Sequence, residues 1–138
     1  MIKKFITCGT LGWCLEILFT ALVSLPKRNY KLMGRTSLWM FPIYGMAVTL
    51  APLSRLICKR SVLSRGAIYT LCIFITEFVT GRMLKKRDLC PWNYADAKYN
   101  VDGVIRLDYA PLWFGTGLLY EYILSDHKTD RHNKTTAP

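Results

Sequence analysis

The chain has 138 residues, of which 51 % are hydrophobic and 20 % charged, and its formal net charge at pH 7 is +10. Such a charge can indicate a nucleic-acid-binding protein, but here the basic residues stand in short runs beside long apolar segments. In that position lysine and arginine reach the headgroups of a bilayer. The composition therefore favours a small multi-pass membrane protein, with the lipid bilayer as its partner, and argues against a nucleic-acid partner.

Four apolar segments follow one another, at residues 5–25, 38–54, 67–84 and 109–124. A helix needs about 20 residues to cross the hydrocarbon core, and backbone in lipid must satisfy its own hydrogen bonds. We therefore predict an all-α fold, a polytopic bundle of four transmembrane helices formed by residues 1–125. The fourth segment is short, so we expect its helix to run past Ser125 or the bilayer to be thin there.

The second segment contains Pro42, Gly45 and Pro52, and proline lacks the N–H that would bond to the preceding turn. A kinked or broken helix is expected there. Glycines allow helices in a membrane to approach closely. The expected close-approach positions in this chain are Gly9, Gly12, Gly66, Gly81, Gly115 and Gly117.

A loop at residues 85–108 separates the third and fourth segments and has no low-complexity character. Loops of this length within a small domain are often functional, and Pro91 and Gly103 indicate fixed turns near its two ends. We predict that the loop is ordered and folds back over the mouth of the bundle. The last residues, 126–138, are polar and basic, and we predict a disordered tail.

All three glutamates, Glu16, Glu77 and Glu121, lie in apolar segments, whereas the six aspartates lie in polar ones. A carboxylate near the bilayer centre costs roughly 2.5–3.5 kcal/mol on insertion scales, so such residues usually face a bundle interior. The glutamates are therefore the first candidates for a substrate- or ion-binding site. The other candidates lie near the predicted mouth: Arg35, Tyr44, Trp92, Tyr94 and Asn100.

Three interpretations of these acids stay open. They can be structural, each paired with arginine or hydroxyl groups and fixing helix packing. They can line a path for a cation, a proton or a cationic solute, with Glu16 near the middle of its span. Because four short helices are few for a pathway in one protomer, this interpretation predicts a homo-oligomer or a separate subunit. They can also build an intramembrane enzyme or lipid-binding pocket under the loop around Trp92.

The five cysteines and two histidines show no metal-ligand spacing. The sequence also shows no nucleophile–base pair and no nucleotide-binding motif. We therefore expect no cofactor, no metal and no catalytic residues, and we favour a binding or permease-like component over an enzyme.

Several rare residue types occur in a fixed order: GWCLE at 12–16, TSLWMFPIYG at 36–45, EFVTG at 77–81, CPWNY at 90–94 and YAPLWF at 109–114. In these motifs the chain resembles the transmembrane protein 229 family and its bacterial relatives, the ABC-transporter type IV or CmpB-like membrane proteins. The resemblance implies a small multi-pass membrane protein, in the cell membrane if bacterial. Because the sequence has no GxxxxGK[ST] nucleotide-binding motif, we expect any ABC-transporter function to need separate subunits. Asn93 departs from the pattern, since the relatives more often have Asp there.

Overall fold

Helices form most of the computed structural model, which describes residues 1–23, 25–26 and 30–125. They are α1 (Ile2–Leu22), α2 (Met40–Gly45), α3 (Leu50–Ile57), α4 (Val62–Lys85) and α5 (Ala110–Leu124), with 3-10 helices at Met46–Thr49 and Leu107–Tyr109. Two short strands, β1 (Asn100–Val101) and β2 (Ile105–Arg106), pair antiparallel in the loop between α4 and α5. The predicted tail, 126–138, lies outside the described residues.

Three stretches of the described chain are long and apolar enough to cross a membrane, namely Ile2–Leu22, Met40–Ile57 and Val62–Lys85. The predicted fourth span corresponds to α5, whose 15 residues reach only about 22 Å, against a hydrocarbon core of about 30 Å. Its fourth crossing therefore stays a prediction. The expected continuation past Ser125 is wrong, because Ser125 has an extended backbone with ψ of 121° and ends the helix.

The expected break in the second span is observed, as the 3-10 helix between α2 and α3. Pro52 cannot donate a backbone hydrogen bond to the carbonyl of Val48, which lies in that 3-10 segment. Pro42, by contrast, lies in the first turn of α2, where helix N–H groups have no intrahelical partner to lose. The interruption therefore follows from Pro52 rather than from Pro42.

The direction of each helix follows from its contacts. Trp13 Nε1 donates to the Ser37 carbonyl at 2.9 Å just before α2, so α2 runs back along α1. Lys4 Nζ donates to the Leu124 carbonyl at 3.3 Å, so α5 is antiparallel to α1. The ion pair of Arg65 with Glu121 makes α5 antiparallel to α4 as well. Consequently α1 and α4 run parallel, and both finish at one end of the bundle, here named the loop end.

Glycines bring the helices into contact at most of the expected positions. A side chain at Gly12 would collide with the ring of Tyr44 on α2, and one at Gly117 would collide with Tyr69 on α4. Gly115 is an exception, since nothing lies within 4 Å of where its Cβ would be. The prediction for Gly115 was wrong, because no helix among the described residues packs against α5 at this position.

The main apolar core lies towards the end opposite the loop. Its buried members come from four helices: Cys8, Leu50, Ile57, Tyr69, Tyr120 and Leu124. Inside this core the Tyr120 hydroxyl donates to the Cys8 carbonyl at 3.1 Å. Many other large apolar side chains face outward, such as Leu71 (60 % exposed) and Val79 (57 %) on α4. An apolar exterior of this kind is the surface expected of a protein in lipid.

The loop between α4 and α5 is ordered and contains a β-hairpin, which the prediction of an all-α fold missed. Three residues, Asp102, Gly103 and Val104, connect the strands, because Val101 pairs with Ile105. Asp102 and Gly103 have positive φ (54° and 68°), as the central residues of a type I′ turn require. Val104, which is wholly buried, packs at about 3.0 Å from the position of a Cβ on Gly81 of α4. The Asp-Gly pair was the available sequence signal for this hairpin.

Candidate functional site

At the loop end of the bundle, α1 and α2 hold a carboxyl group among hydroxyl groups. Glu16 Oε2 accepts a hydrogen bond from Thr36 Oγ1 at 2.8 Å, and the Tyr44 hydroxyl is also within hydrogen-bonding reach of this carboxyl group. Gly12, one turn before Glu16, makes this possible because it lets the Tyr44 ring lie directly on α1. Thr36, which sequence reasoning did not single out, therefore belongs to the site.

A second carboxyl group reaches the same region from α4. Glu77 Oε2 is buried and has no hydrogen-bond partner among the described residues, and the same is true of the Trp113 indole Nε1. The two groups nevertheless lie close enough to interact. Trp113 was not among the residues predicted for the site, because an aromatic residue at the start of an apolar segment is typical of the membrane interface.

Two tyrosines connect these acids electrostatically. The charges of Glu16 and Glu77 both act on the hydroxyl of Tyr44 and on the hydroxyl of Tyr94 in the loop. We name these four residues the acid–tyrosine cluster. Burial, and next the nearby negative charge of Glu77, raise the pKa of Tyr94. Its phenol therefore stays protonated at neutral pH and can donate a hydrogen bond into the cluster.

Aromatic rings cover the cluster from the loop side. The ring of Tyr109 meets Tyr94 edge to face at 5.8 Å and Phe19 of α1 at 5.5 Å. Arg106 stacks over the outer part of this roof, with its guanidinium carbon 4.5 Å from the Tyr109 ring centre, and donates to Asp108 at 2.8 Å. Such a roof limits the access of water to the carboxyl groups beneath it.

Two predicted site residues hold the loop together. Trp92 Nε1 donates to the Val104 carbonyl at 2.9 Å, and the Asn100 side chain bonds to the backbone of Ala95, Ala97 and Gly103. Both side chains are thereby engaged within the loop and lie outside the acid–tyrosine cluster. Their predicted role in binding stays a prediction.

Arg35 has an exposed side chain, and no contact among the described residues joins its guanidinium to the carboxyl groups. Its backbone instead bonds to the Thr20 hydroxyl at 2.8 and 3.1 Å. Arg35 thus fastens the segment before α2 to the end of α1.

Glu121 lies apart from the other two glutamates, at the opposite end of the bundle. Its Oε1 is 3.4 Å from Arg65 Nε, with only 14 % of the Glu121 side chain and 23 % of the Arg65 side chain exposed. The Tyr69 hydroxyl is buried near the same carboxyl group, without a hydrogen-bond partner among the described residues. Arg65 lies one helical turn before Tyr69, so both side chains are on the α4 face that meets Glu121. The sequence analysis did not identify Arg65 as the partner of Glu121.

The described residues contain no group of three histidine, cysteine, aspartate or glutamate side chains that could hold a metal ion. The cluster's two carboxyl groups and two phenols are hydrogen-bonding and charge-bearing groups. Such groups can bind or pass a cation or a proton.

Three membrane-length helices and an apolar exterior define the class of the molecule, which is a multi-pass integral membrane protein. Its sequence matches, over residues 3–137, the family described as "Putative ABC-transporter type IV". Because the match spans nearly the whole chain, the protein belongs to this family and is a membrane transporter-like protein. No solved structure matches the chain.

The resemblance to CmpB-like membrane proteins is thereby confirmed, while kinship with the transmembrane protein 229 family stays a prediction. The family description names a transporter rather than an enzyme, which agrees with the expectation of a non-enzymatic membrane component.

Proposed function

We propose that the chain is a permease-like membrane component that binds a cation or a proton at the acid–tyrosine cluster. The observation that carries this proposal is that the charges of Glu16 and Glu77, on two parallel helices, both reach the hydroxyls of Tyr44 and Tyr94. Ionisable residues inside a membrane commonly mark ion pathways and proton relays. The site lies towards the loop end of the bundle, and the rings of Tyr94 and Tyr109 cover it there.

The charge balance of the cluster supports a cationic ligand. Among the described residues, the interactions of Glu16 and Glu77 are with hydroxyl and indole groups, and none is with lysine or arginine. Glu121, in contrast, has Arg65 at 3.4 Å. We therefore assign different roles to the three glutamates: Glu16 and Glu77 bind the ligand, and Glu121 is a structural residue whose charge Arg65 balances.

The depth of the cluster also suits a binding site reached from one side. Glu16 lies six residues before the end of α1, and Glu77 lies eight residues before the end of α4, which corresponds to about 9 and 12 Å along the helices. Glu16 is thus closer to the loop end than the middle position that the apolar segment 5–25 suggested. A ligand entering under the loop meets both carboxyl groups within one turn of helix.

The proposal includes a fourth crossing by α5 in a locally thinned bilayer, because α5 supplies Trp113 next to Glu77 and packs along α1 and α4. A bundle this small encloses little space. We therefore propose that transport requires a second copy of the chain or a separate subunit, whereas binding at the cluster does not.

The test is ligand binding and flux by purified protein reconstituted in liposomes, with Na⁺ uptake measured with a radioactive tracer and proton flux measured with an enclosed pH dye. Glu16→Gln and Glu77→Gln should each lower the active signal about tenfold or more, because a charged hydrogen-bonding partner of the ligand is lost. Glu121→Gln is the matched control, since it makes the same chemical change at the opposite end.

The control should retain the signal while losing thermal stability. Circular dichroism and gel filtration verify that each variant is folded. Equal losses in all three variants, or no loss in Glu16→Gln and Glu77→Gln, would contradict the proposed site. Absence of flux alone would mean that a second subunit is missing. If the purified unaltered protein binds neither radioactive Na⁺ nor protons, the proposal of cation or proton binding is wrong.

A further inference from the structure

One helix face at the carboxyl end of α4 forms an open hollow of about 320 Å³ that is separate from the acid–tyrosine cluster. The hollow is lined by Phe78, Val79, Arg82, Met83 and Lys86. These positions are three, four and eight residues apart, so they form one stripe along the helix. The stripe is apolar on the side towards the middle of the bilayer and cationic on the side towards the membrane surface.

The apolar part of the stripe is open to lipid. Val79 is 57 % exposed and Met83 is 53 % exposed, which leaves room for an acyl chain to lie along the helix between them and Phe78. The distance along the helix from Phe78 to Lys86 is about 12 Å, which takes the stripe from the hydrocarbon region into the headgroup region. A molecule that fits both parts must therefore be amphipathic.

The cationic part presents groups that recognise a phosphate. The guanidinium carbon of Arg82 lies 5.3 Å from the centre of the Phe78 ring, so the ring positions the cation at the rim of the hollow. Arg82 NH1 is 3.4 Å from the Asp102 carboxylate, yet 54 % of the Arg82 side chain remains exposed. Since a guanidinium has five N–H donors, the edge that faces the hollow is available for a second anion. Lys86 follows one turn later and is exposed.

Two local features oppose an anion here. The carboxyl end of α4 carries a partial negative charge, and Asp102 contributes a full one. Four cations outweigh them, because Lys85 and Arg87 flank the stripe residues Arg82 and Lys86. Lys85 Nζ also donates to the Asp102 carbonyl at 2.8 Å and so neutralises part of this negative field.

We propose that this stripe, the α4 lipid site, binds one anionic phospholipid. Its phosphate contacts Arg82 and Lys86, and one acyl chain lies against Phe78, Val79 and Met83. The site selects an anionic headgroup over a zwitterionic one by charge, and a lipid over a soluble phosphate by the apolar half of the stripe.

The experiment titrates the detergent-solubilised full chain with dioleoylphosphatidylglycerol and counts bound lipids by native mass spectrometry. Dioleoylphosphatidylcholine and glycerol phosphate serve as the zwitterionic and the soluble comparison. Loss of both cations in Arg82→Gln/Lys86→Gln should weaken the tightest phosphatidylglycerol binding by roughly 30-fold. Lys59→Gln/Arg60→Gln removes the same charge at the opposite end of the bundle and should leave this binding unchanged.

A further variant changes the affinity in the opposite direction, so that its effect does not come from unfolding. Asp102→Asn removes the competing carboxylate and should strengthen phosphatidylglycerol binding by several-fold. Asparagine tolerates the positive φ of 54° at this position, so the turn is kept.

Equal weakening in the two double variants would show attraction by net charge alone and would overturn the site. Saturation by glycerol phosphate at the same concentration, or equal binding of phosphatidylcholine, would overturn the assignment to an anionic lipid. Unchanged or weaker binding in Asp102→Asn would contradict the role given to Arg82.

Discussion

Replacing Gly12 by alanine tests the close contact that brings Tyr44 to Glu16. The new methyl group would lie 2.7 Å from Cδ1 of Tyr44 and closer still to two other atoms of that side chain. Carbon atoms pack best at about 3.5–4.0 Å, so α1 and α2 must separate by about 1 Å or the ring must turn away. Overpacking of this kind costs about 1–3 kcal/mol. We therefore expect Gly12→Ala to destabilise the protein by that amount.

Gly115→Ala is the matched control, because nothing lies within 4 Å of its Cβ position. There the substitution should stabilise the helix by up to about 1 kcal/mol, since alanine is the better helix former. The assay is reversible unfolding in mixed dodecylmaltoside and sodium dodecyl sulphate micelles, followed by far-ultraviolet circular dichroism.

The two variants are thus expected to shift stability in opposite directions. Combining Gly12→Ala with Tyr44→Ala should give a coupling of at least about 0.5 kcal/mol, because the smaller side chain relieves the collision. If Gly12→Ala proved as stable as Gly115→Ala, the close approach of α1 and α2 at this point would be refuted. Gly12 would then not be the residue that brings the Tyr44 hydroxyl to Glu16.

Three other predictions concern the core and the loop. Tyr120→Phe removes the buried hydrogen bond to the Cys8 carbonyl and should cost about 0.5–1.5 kcal/mol in the same unfolding assay, with no cost indicating that the bond is absent. The Ala95 N–H donates to the side-chain oxygen of Asn93 at 3.1 Å. Asn93→Ala removes this acceptor and should destabilise the loop by a similar amount. Asn93→Asp keeps an oxygen there, so its stability should lie within about 0.5 kcal/mol of that of the unaltered protein. Hydrogen bonding to Arg106 lowers the pKa of Asp108 in the folded protein. The ion pair therefore stabilises the loop fully above the ordinary aspartate pKa of about 3.9. This stabilisation is lost as the pH falls through the lower pKa of the folded state. Near-ultraviolet circular dichroism from about pH 6 to about pH 2 should show this loss, and Asp108→Asn should remove that part of the pH dependence.

Much of the fold could be predicted from the lengths of the apolar segments. Three of them correspond to membrane-length helices, and the break near Pro52 follows from the missing N–H of proline. Helix ends were less predictable. The apolar segment continues to Leu25, whereas α1 ends at Leu22, because hydropathy alone contains no signal for a helix end. The hairpin was missed although Asp102 and Gly103 are typical of a type I′ turn.

The candidate site was less predictable, because the role of each acid depends on which helix packs against it. Glu121 and Glu77 look alike in the sequence, as lone carboxylates in apolar segments. The antiparallel packing of α4 and α5 gives Glu121 an arginine partner and leaves Glu77 beside an indole. Arg65 precedes the apolar segment and resembles an ordinary juxtamembrane cation, so the pattern of charges alone did not indicate that it is partly buried.

The similar depth of Glu16 and Glu77 nevertheless follows from one rule about alternating spans. The first and third membrane-length helices of a sequential bundle run in the same direction, so residues equally far from their carboxyl ends lie at the same depth. Glu16 and Glu77 are about 9 and 12 Å from those ends. The second span runs the other way, and Tyr44 is four residues, or about 6 Å, from its start at Met40. These depths agree within about one turn of helix, and the same rule places Glu121, near the carboxyl end of the antiparallel α5, at the opposite end of the bundle.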